Sequence, residues 1–373
     1  MKLVNGHEVI QLFETWSPKK FACMQNDPIG LAVGTLNKAI TKVLVTLDVT
    51  DEVVDEAITA GCELIFAHHP PIFAKLSHLR TDNPQGQLFE KLIKHDIAVY
   101  AAHTNLDVAP GGVNDLLADA LKLQERKIFD ETYSEQLMKL AVFVPEQMAD
   151  TVRAALAKAG AGQIGDYDSC SFTSSGEGRF RALDGATPFV GEVGALHTEP
   201  EQKIEVVFPQ SIKNKILKAM LNAHPYEEPA YDFFTLDLEA NVQGLGRIGK
   251  LAEPMTLRAF AEFVKVQLDV PAVRVVGDAE RIVQKIAVVG GAGNSYVRQA
   301  IFAGADVFVT GDISFHVALD AKRDGLSIVD PGHHVEKVMI KGVAEKMTAM
   351  CATKKLDVEF IQSKIKTEPF LFI

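Results

Sequence analysis

The sequence is poor in features that would place it in several large classes of protein. Its 373 residues include four scattered cysteines, Cys23, Cys62, Cys170 and Cys351, and no two of them form a CxxC pair. This spacing suggests neither a disulfide framework nor a thiolate zinc site, and it fits a reduced cytoplasm. No uncharged apolar run reaches about 18 residues, so no membrane span is expected. The N-terminus lacks the apolar stretch of a signal peptide.

The chain also lacks an excess of basic residues. Lysine and arginine together number 38 against 49 aspartates and glutamates, which gives a net charge of −11. A protein that binds a nucleic-acid backbone would show a basic face, so a nucleic-acid partner is not expected. Hydrophobic content is 47% and charged content 23%, as in ordinary globular proteins. The length predicts roughly two domains of about 150 residues each.

Strand-like and helix-like segments alternate in the first third of the chain and again after about residue 284. This alternation predicts βαβ units and a parallel sheet with helices on both faces. Predicted strands of the first third are 42–48, 63–67 and 97–102, and predicted helices are 50–60, 85–95 and 113–123.

The middle of the chain has shorter strands with an alternating apolar pattern. Their order, β-α-β-β-β-α-β, predicts a ferredoxin-like α+β unit with an added strand. The fold class is therefore an α/β domain over residues 1–129 and 241–373, interrupted by an inserted ferredoxin-like domain over residues 130–240.

A buried strand stops at two imidazoles in the segment Cys62–Pro71 (CELIFAHHPP). His68 and His69 lie at the carboxyl end of this strand, and Pro70 and Pro71 prevent the ladder from continuing. In an open parallel sheet, ligands bind at that edge. Each histidine is a candidate metal ligand, with a hydrogen-bonded turn residue as the alternative reading.

The next strand ends in a second set of polar residues, His103 and Asp107. Because neighbouring parallel strands bring their carboxyl ends together, these residues are expected to meet His68 and His69. Asp107 is a candidate metal ligand. His103 is interpreted as a general acid or base, or as a support for a ligand, rather than as a ligand itself.

The distal half repeats this arrangement in the segment Asp330–Glu336 (DPGHHVE). Gly332 permits a tight turn, a helix is predicted to begin at about Val335, and Glu336 falls in its first turn. Asp48 and Asp312, which follow other strands, are interpreted as supporting or capping groups.

Imidazoles and carboxylates together form a mixed nitrogen and oxygen ligand set. Such a set suits zinc, iron, manganese or a similar divalent ion. The two histidine pairs, His68-His69 and His333-His334, and Asp107 give five candidate ligands. These exceed the need of one catalytic zinc, so two ions that share a bridging carboxylate are the natural arrangement.

Two other motifs have alternative readings. Gly290–Asn294 (GGAGN) follows a strand, and it either cradles a phosphate through backbone N–H groups or allows close packing of strand and helix. His224–Asp232 (HPYEEPAYD) in the inserted domain either faces the metal cleft or forms a rigid turn before an edge strand.

Three segments together carry a family resemblance: AHHPPIF, HTNLD and DPGHHVEK, in this order around an inserted domain. They resemble the NGG-interacting-factor-three-like family, whose members are often labelled GTP cyclohydrolase type-two homologues. The resemblance extends over nearly the whole chain, including Asn26–Leu31 (NDPIGL) and the HPYEEPAYD segment.

The resemblance implies a dinuclear metal centre held by His68, His69, Asp107, His333 and Glu336. His334 is the alternative to His333, since the GHxxE step contains two histidines here. The resemblance also implies a ring-shaped homohexamer whose metal sites face an internal cavity. The function that follows is metal-dependent hydrolysis of a nucleotide-like small molecule, with a non-catalytic metal-binding or regulatory protein as the alternative.

Overall fold

The computed structural model describes residues 4–373. Its strands, in chain order, are β1 (Gly30–Val33), β2 (Lys42–Thr46), β3 (Leu64–Ala67), β4 (Ala98–Ala101), β5 (Gln124–Pro145), β6 (Phe172–Arg181), β7 (Leu196–Pro209), β8 (Tyr231–Thr256), β9 (Arg274–Val276), β10 (Ile282–Ala292), β11 (Val307–Gly311), β12 (Ser327–Asp330) and β13 (Glu359–Gln362).

The helices alternate with these strands over most of the chain. They are α1 (Gly6–Trp16), α2 (Asp51–Ala60), α3 (Pro84–Lys94), α4 (Thr104–Val108), α5 (Val113–Ala120), α6 (Ala149–Ala159), α7 (Lys213–Ala223), α8 (Leu257–Gln267), α9 (Val297–Phe302), α10 (Phe315–Arg323) and α11 (Val338–Lys354). Short 3₁₀ turns cover Lys19–Phe21, Glu146–Met148, Gln210–Ile212, Asn294–Tyr296 and His333–Lys337.

The chain divides into two compact units. The core unit comprises the residues up to Tyr133 together with Gln243–Ile373, and the middle unit is Ser134–Val242. The limits predicted from the sequence, 130 and 240, differ from these by a few residues.

The core unit contains two mixed sheets that are mostly parallel in their centres, which confirms the predicted α/β fold class. The first has the order β1–β4–β3–β2–β13, and only the pairing of β1 with β4 is antiparallel. The second has β10, β11 and β12 in parallel, flanked by antiparallel β8 and β9. Strands such as β3 (LIFA) are buried along their whole length, because helices cover both faces.

Alternate residues of both sheets pack into one shared core. Val45 and Phe66 of the first sheet and Val288 and Val309 of the second belong to the same buried cluster. Helices α1, α5, α8 and α11 contribute to this cluster, so they form a layer between the sheets. Helices α2 and α3 cover the outer face of the first sheet, and α9 and α10 cover the outer face of the second. The sequence predicted one parallel sheet, and it missed β1, β9, α4 and α8.

The middle unit has the element order β-α-β-β-α-β, from the end of β5 through α6, β6, β7 and α7 to the start of β8. The added strand that we predicted is absent from these residues, since one continuous strand, β7, runs from Leu196 to Pro209. Pro200 is tolerated inside β7 because its neighbour β5 ends at Pro145, opposite Glu201. Within residues 4–373, no helix is long and apolar enough to cross a membrane.

Candidate metal centre

Two neighbouring strands of the first sheet deliver one side of the cluster. His68 and His69 follow β3 directly, and their backbone N–H groups donate to Thr46 O at 3.2 Å and Leu47 O at 2.9 Å. Two successive N–H groups that bond to the same side depart from the regular alternation of a strand, so the ladder between β3 and β2 ends here. Strand β4 lies beside β3 in parallel, and the helix α4 that follows it carries Asp107. The parallel pairing therefore brings both strand ends to one edge, as predicted.

The second sheet delivers the other side through a turn after β12. Gly332 has a φ of 87°, a conformation that favours glycine. The predicted helix start at Val335 is wrong, because His333–Lys337 form a 3₁₀ turn and α11 begins only at Val338. In a 3₁₀ turn, residues three apart lie on the same side. His333 and Glu336 consequently point in one direction.

The donor atoms meet around the carboxylate of Glu336. Its Oε2 lies 3.0 Å from His69 Nε2, 3.2 Å from His333 Nε2 and 3.8 Å from His68 Nε2. His68 Nε2 also lies 3.6 Å from Asp107 Oδ1. Three donor groups, each with its donor atoms within 4.8 Å of one another, have the composition of a metal site: His68–Asp107–Glu336, His69–His333–Glu336 and His68–His69–His103.

Each imidazole of the cluster is held by an acceptor on its Nδ1 atom. His68 donates to the backbone oxygen of Ala102 at 2.8 Å. The other three donate to carboxylates: His69 to Asp48 at 2.7 Å, His333 to Asp312 at 2.7 Å and His103 to Asp27 at 2.9 Å. Such partners fix the tautomer and orientation of metal-binding histidines. The Nε2 atoms of all four rings are left facing one region.

The cluster fits divalent ions by two further observations. Among residues 4–373, His68 Nε2 and Asp107 Oδ1 are buried and have no hydrogen-bond partner, a costly arrangement unless another group satisfies them. The separations of 3.0–3.6 Å between donor atoms match the roughly 3.3 Å between tetrahedral ligands about 2.0–2.1 Å from one ion. The side chains present are therefore suited to hold a divalent metal.

The glycine segment at the end of β10 packs against this cluster. A Cβ atom at Gly291 would lie 2.7 Å from Glu336 Oε1, and one at Gly293 would lie 2.2 Å from Thr310 Oγ1. The backbone N–H of Gly290 donates to Asn114 Oδ1 at 2.9 Å. These contacts explain the glycines by close packing, which was the alternative to a phosphate cradle.

The carboxylates and imidazoles perturb one another's pKa values strongly. Burial raises the pKa of Asp107 to about 6. Burial acts to lower the pKa of His69, but its hydrogen bonds with Asp48 and Glu336 outweigh this and raise it to about 10. The hydrogen bond with Glu336 raises the pKa of His333 to about 9. Shifts of this size in one cluster are typical of functional sites.

The structure brings together all five residues predicted as metal ligands, and His103 lies beside them with its ring centroid 5.4 Å from that of His68. His334 points elsewhere, with its Nε2 atom 3.3 Å from Thr367 Oγ1. Asp27 was not singled out from the sequence. It lies in an irregular segment without periodicity, and only the resemblance in NDPIGL pointed to that region.

The fold and the cluster define a class: an α/β protein with a histidine and carboxylate site built from the carboxyl ends of strands in two sheets. The family model Duf34/NIF3 (NGG1p interacting factor 3) matches residues 4–369. The chain belongs to this family, which confirms the resemblance found in the sequence.

Individual relatives match over the whole length. The chain is 55% identical over 372 residues to a Bacillus subtilis (strain 168) protein named GTP cyclohydrolase 1 type 2 homolog, with all of both chains covered. The crystal structure of a Bacillus cereus protein related to NIF3 superposes with a TM-score of 0.94 at 52% identity. That of a Staphylococcus aureus protein superposes with a TM-score of 0.84 at 34% identity. Both structural matches cover 100% of each chain.

Proposed function

We propose that this protein is a dinuclear metal-dependent hydrolase. In this proposal His68, His69, Asp107, His333 and Glu336 hold two divalent ions, with zinc as the first expectation and iron, manganese or cobalt as alternatives. The observation that carries it is the shared carboxylate: Glu336 belongs both to the donor group with His68 and Asp107 and to the one with His69 and His333. A shared carboxylate is what a pair of neighbouring ions requires.

The chain's own residues have separate tasks in this scheme. A bound pair of ions would supply an activated water at neutral pH and polarise an oxygen of the substrate. His103 holds or delivers a proton at Nε2, since its Nδ1 donates to the buried carboxylate of Asp27. Asp27 also accepts hydrogen bonds from the backbone and hydroxyl of Thr104, at 3.2 Å and 2.5 Å. Its orientation is therefore fixed independently of His103.

The substrate class is inferred from the relatives. Several carry the name GTP cyclohydrolase 1 type 2 homolog, which suggests a nucleotide-like small molecule and hydrolysis of a C–N bond. A family name does not by itself establish a reaction. The test is turnover of GTP and of a panel of phosphate and amide substrates by protein reconstituted with Zn, Mn, Fe or Co.

The expected result is turnover of at least one substrate by the wild-type protein and its loss in His68→Ala. Failure of every substrate, or activity that survives in His68→Ala, would refute the hydrolase proposal. Anomalous scattering tests the ligand assignment separately. The ligand assignment is wrong if no metal peak lies between His68 and Asp107.

The second candidate is a non-catalytic metal-binding or regulatory protein with an inserted domain as gate or partner surface. The compactness of Ser134–Val242 as its own unit favours a separable role of this kind. Metal binding without any turnover, in protein that is fully loaded, would select this alternative.

The assembly and location are part of the proposal. The family resemblance favours a homohexamer, and the four free cysteines suit a reducing cytoplasm. Native mass spectrometry at micromolar concentration is expected to give six chains per particle. A stable monomer would contradict the hexamer.

A further inference from the structure

The middle unit contains a cavity of about 640 Å³ that the metal centre does not use. It lies on the face of the sheet opposite to α6 and α7. On strand β7, Ile204, Val206 and Phe208 pack with those helices in the unit's core. Glu201 and Lys203 alternate with them, so they point to the other face, and both line the cavity.

Two glycines of β6 open the floor of this cavity. Gly176 is paired with Glu201, and Gly178 is paired with Glu199. A Cβ atom at Gly176 would meet no atom within 4 Å, whereas one at Gly178 would lie 2.3 Å from Glu201 Oε2. Gly176 thus leaves open space at the floor, whereas the missing side chain of Gly178 leaves room for the Glu201 carboxylate itself.

Aromatic rings form the walls. The Tyr226 ring centroid lies 5.8 Å from that of Phe180 and 6.4 Å from that of Phe189. Tyr226 belongs to the HPYEEPAYD segment, in which His224 fixes the backbone. His224 Nε2 donates to Phe143 O at 2.9 Å, and its Nδ1 accepts the Tyr226 N–H at 3.1 Å. The segment therefore builds one wall of a cavity within its own unit.

The charges around the cavity are unbalanced. Both of its cations are already paired, Arg179 with Glu177 at 3.0 Å and Lys203 with Glu205 at 3.3 Å. In the part of the chain that the structure describes, three carboxylates of the lining have no ion pair: Glu201, Glu227 and Glu228.

Of these three, Glu201 is the carboxylate that faces the aromatic wall. It accepts a hydrogen bond from the Tyr226 hydroxyl at 3.0 Å. Burial and the negative charge of Glu201 raise the pKa of Tyr226 well above its ordinary value. The cavity is consequently electronegative next to its aromatic rings.

We propose that this cavity binds a small organic cation, an amine or guanidinium carried on a flat apolar body. The cation faces Glu201, and the body lies against Phe180, Phe189 and Tyr226. Cations are attracted both to unpaired carboxylates and to aromatic faces. The volume lies in the range of small-molecule sites, which combine apolar walls with a few polar groups. An anionic ligand would meet three uncompensated carboxylates.

The test compares three probes that share an indole body and differ in charge. Tryptamine is cationic, tryptophol is neutral and indole-3-propionate is anionic. Isothermal titration of the full chain is expected to give a tryptamine affinity about tenfold or more above that of tryptophol, with no detectable binding of indole-3-propionate. The same result is expected in chelator-treated protein, so the outcome is independent of the metal centre.

Variants locate the site. Glu201→Gln is expected to reduce tryptamine affinity to that of tryptophol, and Gly176→Leu to abolish binding of both by filling open space. Glu146→Gln is the control, since Glu146 is an exposed glutamate of the same unit that does not line the cavity. The tryptamine affinity of this control variant should equal that of the wild type.

Three results would overturn the proposal. They are equal affinity for tryptamine and tryptophol, unchanged tryptamine affinity in Glu201→Gln, and failure of tryptamine, phenethylamine and agmatine to bind up to about 10 mM. Circular dichroism and melting temperature establish that each variant is folded.

Discussion

The two walls of the candidate metal centre differ in how they are supported. The first wall, His68, His69, His103 and Asp107, follows two strands of the first sheet. His68 is completely buried there and is held by a backbone oxygen. The second wall, His333 and Glu336, comes from a 3₁₀ turn of five residues. The His333 side chain is 40% exposed, and its partner Asp312 is 45% exposed.

Mutations in the two walls are therefore expected to have different effects on stability and on metal binding. In the first wall, His68 and Asp107 belong to the packed interior, so removing either is expected to disturb both the fold and metal binding. His333 and Asp312 lie at the surface, where substitutions usually change stability little. Glu336 is the exception in the second wall, because it is buried and contacts both walls. The predictions below use this contrast, and they run from the largest expected effect to the smallest.

Glu336→Gln should have the largest effect on metal binding. The substitution keeps the shape but removes the charge shared by two donor groups, so we expect both ions to bind more than about a hundredfold more weakly, beyond the loss typical of a supporting residue. Metal content by mass spectrometry and competition with a chelator measure this. The control is Glu345→Gln, an exposed glutamate in α11 that pairs with Lys341. Retention of two ions by Glu336→Gln would contradict the shared-carboxylate arrangement.

The contrast between the walls is tested most directly in metal-free protein. His68→Ala should lower the free energy of unfolding by about 2–4 kcal/mol, because it leaves a cavity and unpaired buried groups near Asp107. His333→Ala should lower it by less, about 0.5–1.5 kcal/mol, because the ring is partly exposed and the variant loses one hydrogen bond to Glu336. Urea unfolding in the presence of a chelator gives both values. Equal destabilisation by the two variants would remove the distinction between a buried and an exposed wall.

The first wall was also the more predictable one. Its strands are continuous apolar runs, such as LIFA in β3, and polar residues mark their ends, so His68, His69 and Asp107 could be placed at one edge. The second wall depends on a 3₁₀ turn, which has no sequence period of its own. A helix start at Val335 was predicted there instead.

Other features had no local signal at all. Asp27 supports His103 from an irregular segment, and its role depends on a contact between residues 76 positions apart. The division of the core unit into two sheets rests on long-range pairing, because the apolar pattern of a strand does not state which strand lies beside it. The requirement for glycine at positions 290–293 likewise depends on the proximity of Glu336 and Thr310, which are distant in the sequence.

The carboxylates that hold the histidines should have intermediate effects. Asp48→Asn and Asp312→Asn each weaken the orientation of one imidazole, His69 or His333, and a loss of about 10–100-fold in metal affinity is typical of such changes. We expect the larger loss for Asp48, since it is the more buried partner and is itself held by Thr367. Competition titrations with a chelator rank the two. A larger loss for Asp312→Asn would mean that exposure does not weaken the second wall.

The smallest effect is expected from Thr367→Val, which lies one hydrogen bond further from the ion. The Thr367 hydroxyl donates to Asp48, and Asp48 accepts from His69. Losing one hydrogen bond of about 0.5–1.5 kcal/mol should weaken metal binding by no more than about tenfold, and less than Asp48→Asn does. Thr353→Val is the control, because that hydroxyl bonds only within its own helix, to Ala349 O. If Thr367→Val matched Asp48→Asn, the orientation of His69 would depend on the C-terminal segment as strongly as on its own carboxylate partner, and the first wall would not be supported by the sheet alone.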